Sequence, residues 1–537
     1  MMQKKTNKIF TLLKFFRTHL FGRLASVIFL LVPIYIILYK IYIPLINAFG
    51  CFDDCFNFAG GYFLGKGKTL FSEIYFNHQP LMAYISLLIQ RYANPINIYG
   101  LLLSHRQSLI LFSFVFQVLL CWRFGIIGLV SMFIYEFTKF WVFGDRFLAE
   151  GYIVYPLIYL IGLMMITIQK RRVYSVELIF ASMCTWFVVF MREPYIPLAL
   201  FLFFLIIRKK INTPVGFISL LIFFTLTALL FCLFPVQDYI HNVIILNILT
   251  MLKKGLTPNH SSMNVLLLEL FKSFFYPLYI FISGLWTENR IILIALSSMY
   301  FLSTIMIIKS KKNIFLSLYL FIALGLANFR PTKPGLQYFQ AFYMIVWYGL
   351  FSFSTMYIFY EVASGMRKKY IFFVCTILLM LYIFFSPRSF IYQNTDSHAE
   401  FIINYGHYIG IGEVIKALSQ PNQTMFTDGN EELLYWQAKR SSAYQYSFYY
   451  PAEKNSKYYA ARLLMFSHNP PDFYYDFCIP VVPSEPSIPA DFIHLYRRLY
   501  EYGKPSGLYL KASLIPTISN EQWKKAKEFE YTLPEEK

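Results

Sequence analysis

Charge is scarce in this chain. Asp, Glu, Lys and Arg together make up 14% of 537 residues, where an ordinary soluble domain carries roughly 25%. Hydrophobic residues reach 57%, and 20% of the chain is aromatic. A soluble globule that apolar would have nowhere to put its surplus side chains. The composition therefore excludes a soluble enzyme, a disordered chain and a fibrous protein, and leaves a polytopic membrane protein. Internal repeats and low-complexity tracts are missing as well. The seven cysteines are odd in number, with neither zinc-finger spacing nor the framework of a small disulfide-rich secreted domain.

Acidic residues are the scarcer sign, so the formal net charge is +19. Its distribution decides what it means. From Met1 to Pro387 there are 33 Lys+Arg against 12 Asp+Glu, and from Arg388 to the end 15 against 17. The basic excess thus belongs to the apolar part, and nothing supports a nucleic-acid partner for the tail.

A helix needs about 20 apolar residues to cross about 30 Å of hydrocarbon. Eleven candidate spans are readable: Leu24–Ala48, Leu101–Trp122, Phe124–Trp141, Tyr152–Thr167, Val176–Phe190, Tyr195–Ile207, Val215–Phe234, Ile291–Ile308, Ile314–Ala327, Tyr338–Tyr360 and Ile371–Phe385. Basic clusters separate alternate pairs: Lys4/Lys5/Lys8, Arg123, Lys170–Arg172, Arg208–Lys210, Lys309/Lys311/Lys312 and Arg367–Lys369. Positive loops stay in the cytoplasm. Placing all six clusters inside puts the N-terminus in the cytoplasm and the C-terminus outside, and the first span then serves as an uncleaved anchor. Met263–Trp286 is apolar but carries Glu269 and Lys272, and is expected to lie at the outer interface.

The expected fold is a polytopic α-helical membrane domain, residues 1–387, followed by an extracytoplasmic mixed α/β domain, residues 388–537. Within the tail, Gly412–Leu418 and Glu431–Lys439 read as helices, and Thr424–Thr427 and Gly507–Lys511 as strands. A large first outer loop, residues 49–100, follows the first span.

That loop opens with Cys51-Phe-Asp53-Asp54-Cys55. Ionised Asp beside hydrocarbon is costly and is usually kept for function. A carboxylate partly withdrawn from water can take a proton from an incoming nucleophile; the plain alternative is a pair of solvated loop aspartates. Cys51 and Cys55 could pair in an oxidising exterior, although their spacing is awkward for disulfide geometry. The following Gly60-Gly61…Gly65-Lys-Gly67 stretch fits neither a Walker loop nor a dinucleotide fingerprint.

The order of motifs is more specific than any one of them. The acidic pair is followed by Asn57-Phe-Ala-Gly-Gly-Tyr-Phe-Leu-Gly65, an aromatic gap and Asn77-His78-Gln79-Pro80-Leu81. Next come Gly144-Asp145-Arg146 through Glu150, Arg192-Glu193-Pro194, Gly335-Leu-Gln337-Tyr338-Phe339, and in the tail Thr427-Asp428-Gly429, Leu434-Tyr435 and Lys439-Arg440. This succession resembles the GT-C glycosyltransferases, above all the protein O-mannosyltransferases (glycosyltransferase family 39) and the lipid A aminoarabinose transferases. Gln337 stands where those enzymes often have His, and the Trp-Trp-Asp-Tyr-Gly element of the oligosaccharyltransferases is absent.

The resemblance implies an inverting glycosyltransferase. It would move a monosaccharide from a polyprenyl-phosphate donor to a protein, lipid or glycan acceptor on the outer face of the membrane. Asp53 would match the general base, with Asp54 its neighbour and rival for the role. The alternative function is a transporter or flippase of polyprenol-linked glycans, against which the absence of repeats counts. Topology adds an argument for phosphate: Arg146, Arg192, Arg330 and Lys333 all stand at outward span ends, at the depth of a lipid-linked phosphate, where a guanidinium fork suits its oxygens. Snorkelling to headgroups is the plain alternative. Asp145 and Glu150 would hold Arg146 or Lys139 in an ion pair, orient the acceptor or bind a divalent cation. His78, Gln337 and Tyr338 complete the candidate set. The richness in Lys, Ile, Phe and Tyr suggests an AT-rich genome and a bacterial inner membrane.

Overall fold

A computed structural model describes residues 2–47, 50, 53–247, 271–277, 290–309, 314–329, 338–365, 369–386, 396–429, 431–448, 456–476 and 488–534. The chain divides into two compact units. The first comprises Met1–Leu45, Arg106–Thr227 and Thr250–Thr395; the second comprises Ile46–His105, Ala228–Leu249 and Asp396–Lys537.

The first unit is helical. Each expected span coincides with a helix, but their lengths differ. Among the described residues, six helices are long and apolar enough to cross a membrane: Leu24–Leu45, Ile98–Phe124, Ala149–Ile168, Pro214–Phe231, Ile291–Lys309 and Ala341–Ser364. These make the chain compatible with an integral membrane protein. The other five expected spans are the helices Ile126–Thr138, Ser175–Val189, Ile196–Ile207, Ile314–Leu326 and Lys369–Phe385. At 1.5 Å per residue these shorter helices reach about 18–26 Å, less than the ~30 Å hydrocarbon core. Among the described residues six helices therefore meet the length requirement, and the expected count of eleven is not shown. Gly125 (φ 60°) divides Ile98–Phe124 from Ile126–Thr138, a turn that a side chain would strain. Of Met263–Trp286 only 271–277 is described, as helix.

The second unit joins the first outer loop to the tail. A six-stranded sheet runs β2-β1-β3-β5-β4-β6, from β1 (Thr424–Asp428), β2 (Ser441–Ser442), β3 (Phe473–Asp476), β4 (Tyr496–Glu501), β5 (Lys504–Lys511) and β6 (Tyr531–Thr532). β1 pairs in parallel with β2 and β3, and the remaining pairs are antiparallel. Two of these strands were legible beforehand. Helix Ser397–Leu418 begins where Asp396 accepts from the backbone N–H groups of His398 (3.0 Å) and Ala399 (3.1 Å), a side-chain cap. It packs on helices Leu433–Ala438 and Asn520–Lys527.

Helix Asp53–Gly65 lies against both Leu81–Ala93 and Leu433–Ala438. These contacts group the first outer loop with the tail, where the linear reading had grouped it with the spans. The approach to Leu81–Ala93 is closest at Gly61, where an added Cβ would come within 2.6 Å of Ser86 Oγ and 2.7 Å of the Leu87 backbone nitrogen. The small residues of this run are thus a helix-packing notch. Gly61→Ala is expected to destabilise the second unit by about 1–3 kcal/mol through overpacking, read as a lower midpoint of thermal unfolding in detergent. An unchanged midpoint would show that the notch has slack.

Candidate functional site

In the second unit, Asp53 and Asp54 form the first turn of helix Asp53–Gly65, where unpaired N–H groups and the helix dipole favour negative charge. Their environments differ. Asp54 is fully buried, and its Oδ1 accepts from the backbone N–H of Cys55 at 3.1 Å. The Asp53 side chain is 37% exposed, and its Oδ2 lies 3.5 Å from His78 Nε2. The His78 ring is fixed edge-on against Phe56 and Phe76. A carboxylate open to solvent yet oriented by an imidazole is suited to accept a proton. A wholly buried one is suited to hold structure.

The tail contributes acids that the linear reading left inside a helix without a role. Glu431 and Glu432 are both buried. Burial, reinforced by the charges of Glu431 and Asp53, pushes the Glu432 carboxyl up to about 8. Glu431 Oε2 sits 3.4 Å from His407 Nε2, and burial together with Glu431 drives the Tyr408 hydroxyl well above its ordinary value. The available signal was a second adjacent acidic pair directly before an apolar Leu-Leu-Tyr-Trp run. Its nearness to Asp53 joins positions some 380 residues apart in the chain.

Because the folded Glu432 binds its proton more tightly than the unfolded chain does, stability falls as pH rises from about 4.5 towards 8. The loss is complete above the folded value and absent below the unfolded one. Glu432→Gln should flatten this slope, leaving the variant more stable than the parent at pH 8 by an amount on the order of a few kcal/mol. Unfolding midpoints measured from pH 5 to 8.5 check it; parallel profiles for parent and variant would contradict it.

Cys55 is disulfide-bonded, with its partner outside the described residues. The sequence reading weighed only Cys51 as a partner for Cys55, and Cys51 lies outside the described residues. Cys121, Cys184, Cys232 and Cys375 are free.

The first unit holds the other candidates. A turn brings Gly144 N to Lys139 O (2.9 Å) and Arg146 N to Phe143 O (3.2 Å), so that Asp145 and Arg146 are both buried. Glu150 stands in the first turn of helix Ala149–Ile168. Its Oε1 accepts from Arg192 Nε at 3.1 Å, a partner that the sequence reading did not name for it. Lys139 turns to Glu136 instead, Nζ to Oε2 at 2.7 Å, with both side chains buried. Tyr155 closes the group: its hydroxyl donates to Glu136 Oε1 at 2.6 Å and accepts from Lys139 Nζ at 2.9 Å. The Tyr42 ring lies 5.1 Å from the same ammonium. Glu136 was missed in the sequence, although a carboxylate within an apolar helix is itself a signal.

Arg330, Lys333 and Gln337 lie outside the described residues. Tyr338 opens a 3₁₀ turn, Tyr338–Met344. Among the described residues no three His, Cys, Asp or Glu side chains gather as a metal site. No family model, curated protein or solved structure matches the chain.

Proposed function

We propose that the chain is a GT-C-type membrane glycosyltransferase that moves a monosaccharide from a polyprenyl-phosphate donor to an acceptor hydroxyl or amine outside the cytoplasm. The observation that carries this reading is Asp53, a solvent-reached carboxylate at a helix N-terminus, 3.5 Å from His78 and beside buried acids. Asp53 takes the acceptor proton as the acceptor atom bonds to the anomeric carbon. The sugar–phosphate C–O bond breaks in the same displacement, the configuration inverts, and polyprenyl phosphate leaves with the bonding electrons. The sequence reading alone assigns the departing phosphate to Arg146, Arg192, Arg330 and Lys333. Arg192 shares its charge with Glu150, so binding phosphate there means competing with, or adding to, that pair. The disulfide at Cys55 supports an oxidising, extracytoplasmic side for the acidic pair.

Membranes containing the protein should transfer label from polyprenyl-phosphate sugars to an acceptor fraction, and membranes lacking it should not. Movement of intact lipid-linked sugar across the bilayer without transfer would establish the flippase reading instead.

A further inference from the structure

Away from the acidic pair, the second unit gathers several cations beside two aromatic rings. Lys439 is the C-cap of helix Leu433–Ala438 and sits at φ 55°, a left-handed conformation that costs a side-chain-bearing residue energy and is kept where the surroundings require it. Its ammonium lies 3.3 Å from the centre of the Trp436 ring and 5.9 Å from that of Tyr62. Lys66 Nζ reaches the same Tyr62 ring at 5.5 Å. Lys416 and Arg440 complete the group. Arg440 spends its guanidinium on Ser419 Oγ (2.7 Å) and Ser419 O (3.0 Å). Glu413 pairs with Lys416 and accepts from Gln437 Nε2 at 2.7 Å. Among the described residues no carboxylate pairs with Lys439 or Lys66.

Lys66 and Lys439 lie over two aromatic rings, and Lys416, on a third helical element, is near enough to act on the charge of Lys439; they are point charges against a low-dielectric wall. That combination strengthens their attraction for a multivalent oxyanion. We propose that Lys66, Lys416 and Lys439, walled by Tyr62 and Trp436, form a binding site for a phosphate or pyrophosphate group. The site does not depend on the transferase reading. Two sources supply such a group, a phospholipid headgroup and a soluble phosphorylated molecule, and the experiment separates them.

Burial, then Lys416 and Lys66, lowers the Lys439 ammonium to about 8. A bound anion favours the charged form, so by linkage anion affinity must fall as pH rises through that value. At pH 8 about half of Lys439 is neutral and nucleophilic, against roughly 0.3% of an ordinary lysine. Acetylation of each lysine is followed by mass spectrometry on the full chain in phosphatidylcholine nanodiscs, with inorganic pyrophosphate or chloride at equal ionic strength.

Lys439 is expected to label fast in chloride and about fivefold or more slowly in pyrophosphate, while exposed Lys525 labels equally in both. Lys66→Gln, a change at an exposed position, should weaken the protection. In nanodiscs containing phosphatidylglycerol without pyrophosphate, protection of Lys439 assigns the headgroup as the source, and full labelling assigns a soluble phosphate. Equal labelling of Lys439 in pyrophosphate and chloride would overturn the site.

Discussion

Asp53→Asn is expected to slow sugar transfer by about 10²–10⁴-fold, the contribution of a positioned general base, while leaving the protein folded. Asn keeps the size and hydrogen-bonding reach of Asp but cannot take the acceptor proton. The fold should tolerate the change because the side chain is 37% exposed and its contact with His78 is at 3.5 Å; exposed pairs contribute roughly 0–1 kcal/mol. Asp54→Asn tests the rival assignment. Asp54 is fully buried and bonds to the N–H of the next residue in its own helix, so its loss should lower stability more than it lowers transfer per folded molecule. Unchanged transfer in Asp53→Asn, with loss in Asp54→Asn, would exchange their roles. Unchanged transfer in both would remove the acidic pair from the chemistry.

The second large effect concerns stability. Lys139→Met should destabilise the first unit by about 3–5 kcal/mol, since it strands the buried Glu136 carboxylate in a low-dielectric interior. Both side chains are buried and bridged by Tyr155, so no water replaces the lost partner. The double variant Glu136→Leu/Lys139→Met removes both charges and should recover most of the loss, because replacing a whole buried pair by apolar groups is often neutral. Thermal unfolding of the single and double variants in detergent gives the comparison. A double variant no more stable than the singles would mean that Tyr155, or the packing around it, rather than charge balance, fixes this part of the structure.

What the linear sequence disclosed follows from the physics of each signal. Long apolar runs are local, so Leu24–Leu45 and Ala149–Ile168 stand out without any tertiary information. Length is also local, yet a run such as Ile314–Ala327 says only that a helix is apolar, and a helix there of 13 residues falls short of the membrane's thickness. In the tail, strands with compact apolar patterns, Thr424–Asp428 and Lys504–Lys511, were visible. β4 (Tyr496–Glu501) was not, because its Arg497 and Arg498 face outward and hide its pattern.

The site divides in the same way. Asp53, Asp54 and His78 belong to one loop and were each named as candidates from the order of motifs; that His78 stands 3.5 Å from Asp53 was not legible there. Glu432 reaches the neighbourhood of Asp53 only through the packing of Leu433–Ala438 on Asp53–Gly65, a non-local contact that no motif announces. In the first unit, Arg192 meets Glu150 across 42 positions of sequence, a non-local pairing, whereas Lys139 and Glu136 stand only three residues apart.

The most direct test is the fate of the donor lipid. Purified protein is reconstituted with a polyprenyl-phosphate sugar and an acceptor, and the lipid fraction is followed by mass spectrometry. Free polyprenyl phosphate should appear in step with glycosylated acceptor, one for one, and both should fail to appear with Asp53→Asn. Intact donor that changes leaflet while no polyprenyl phosphate is released would contradict glycosyl transfer.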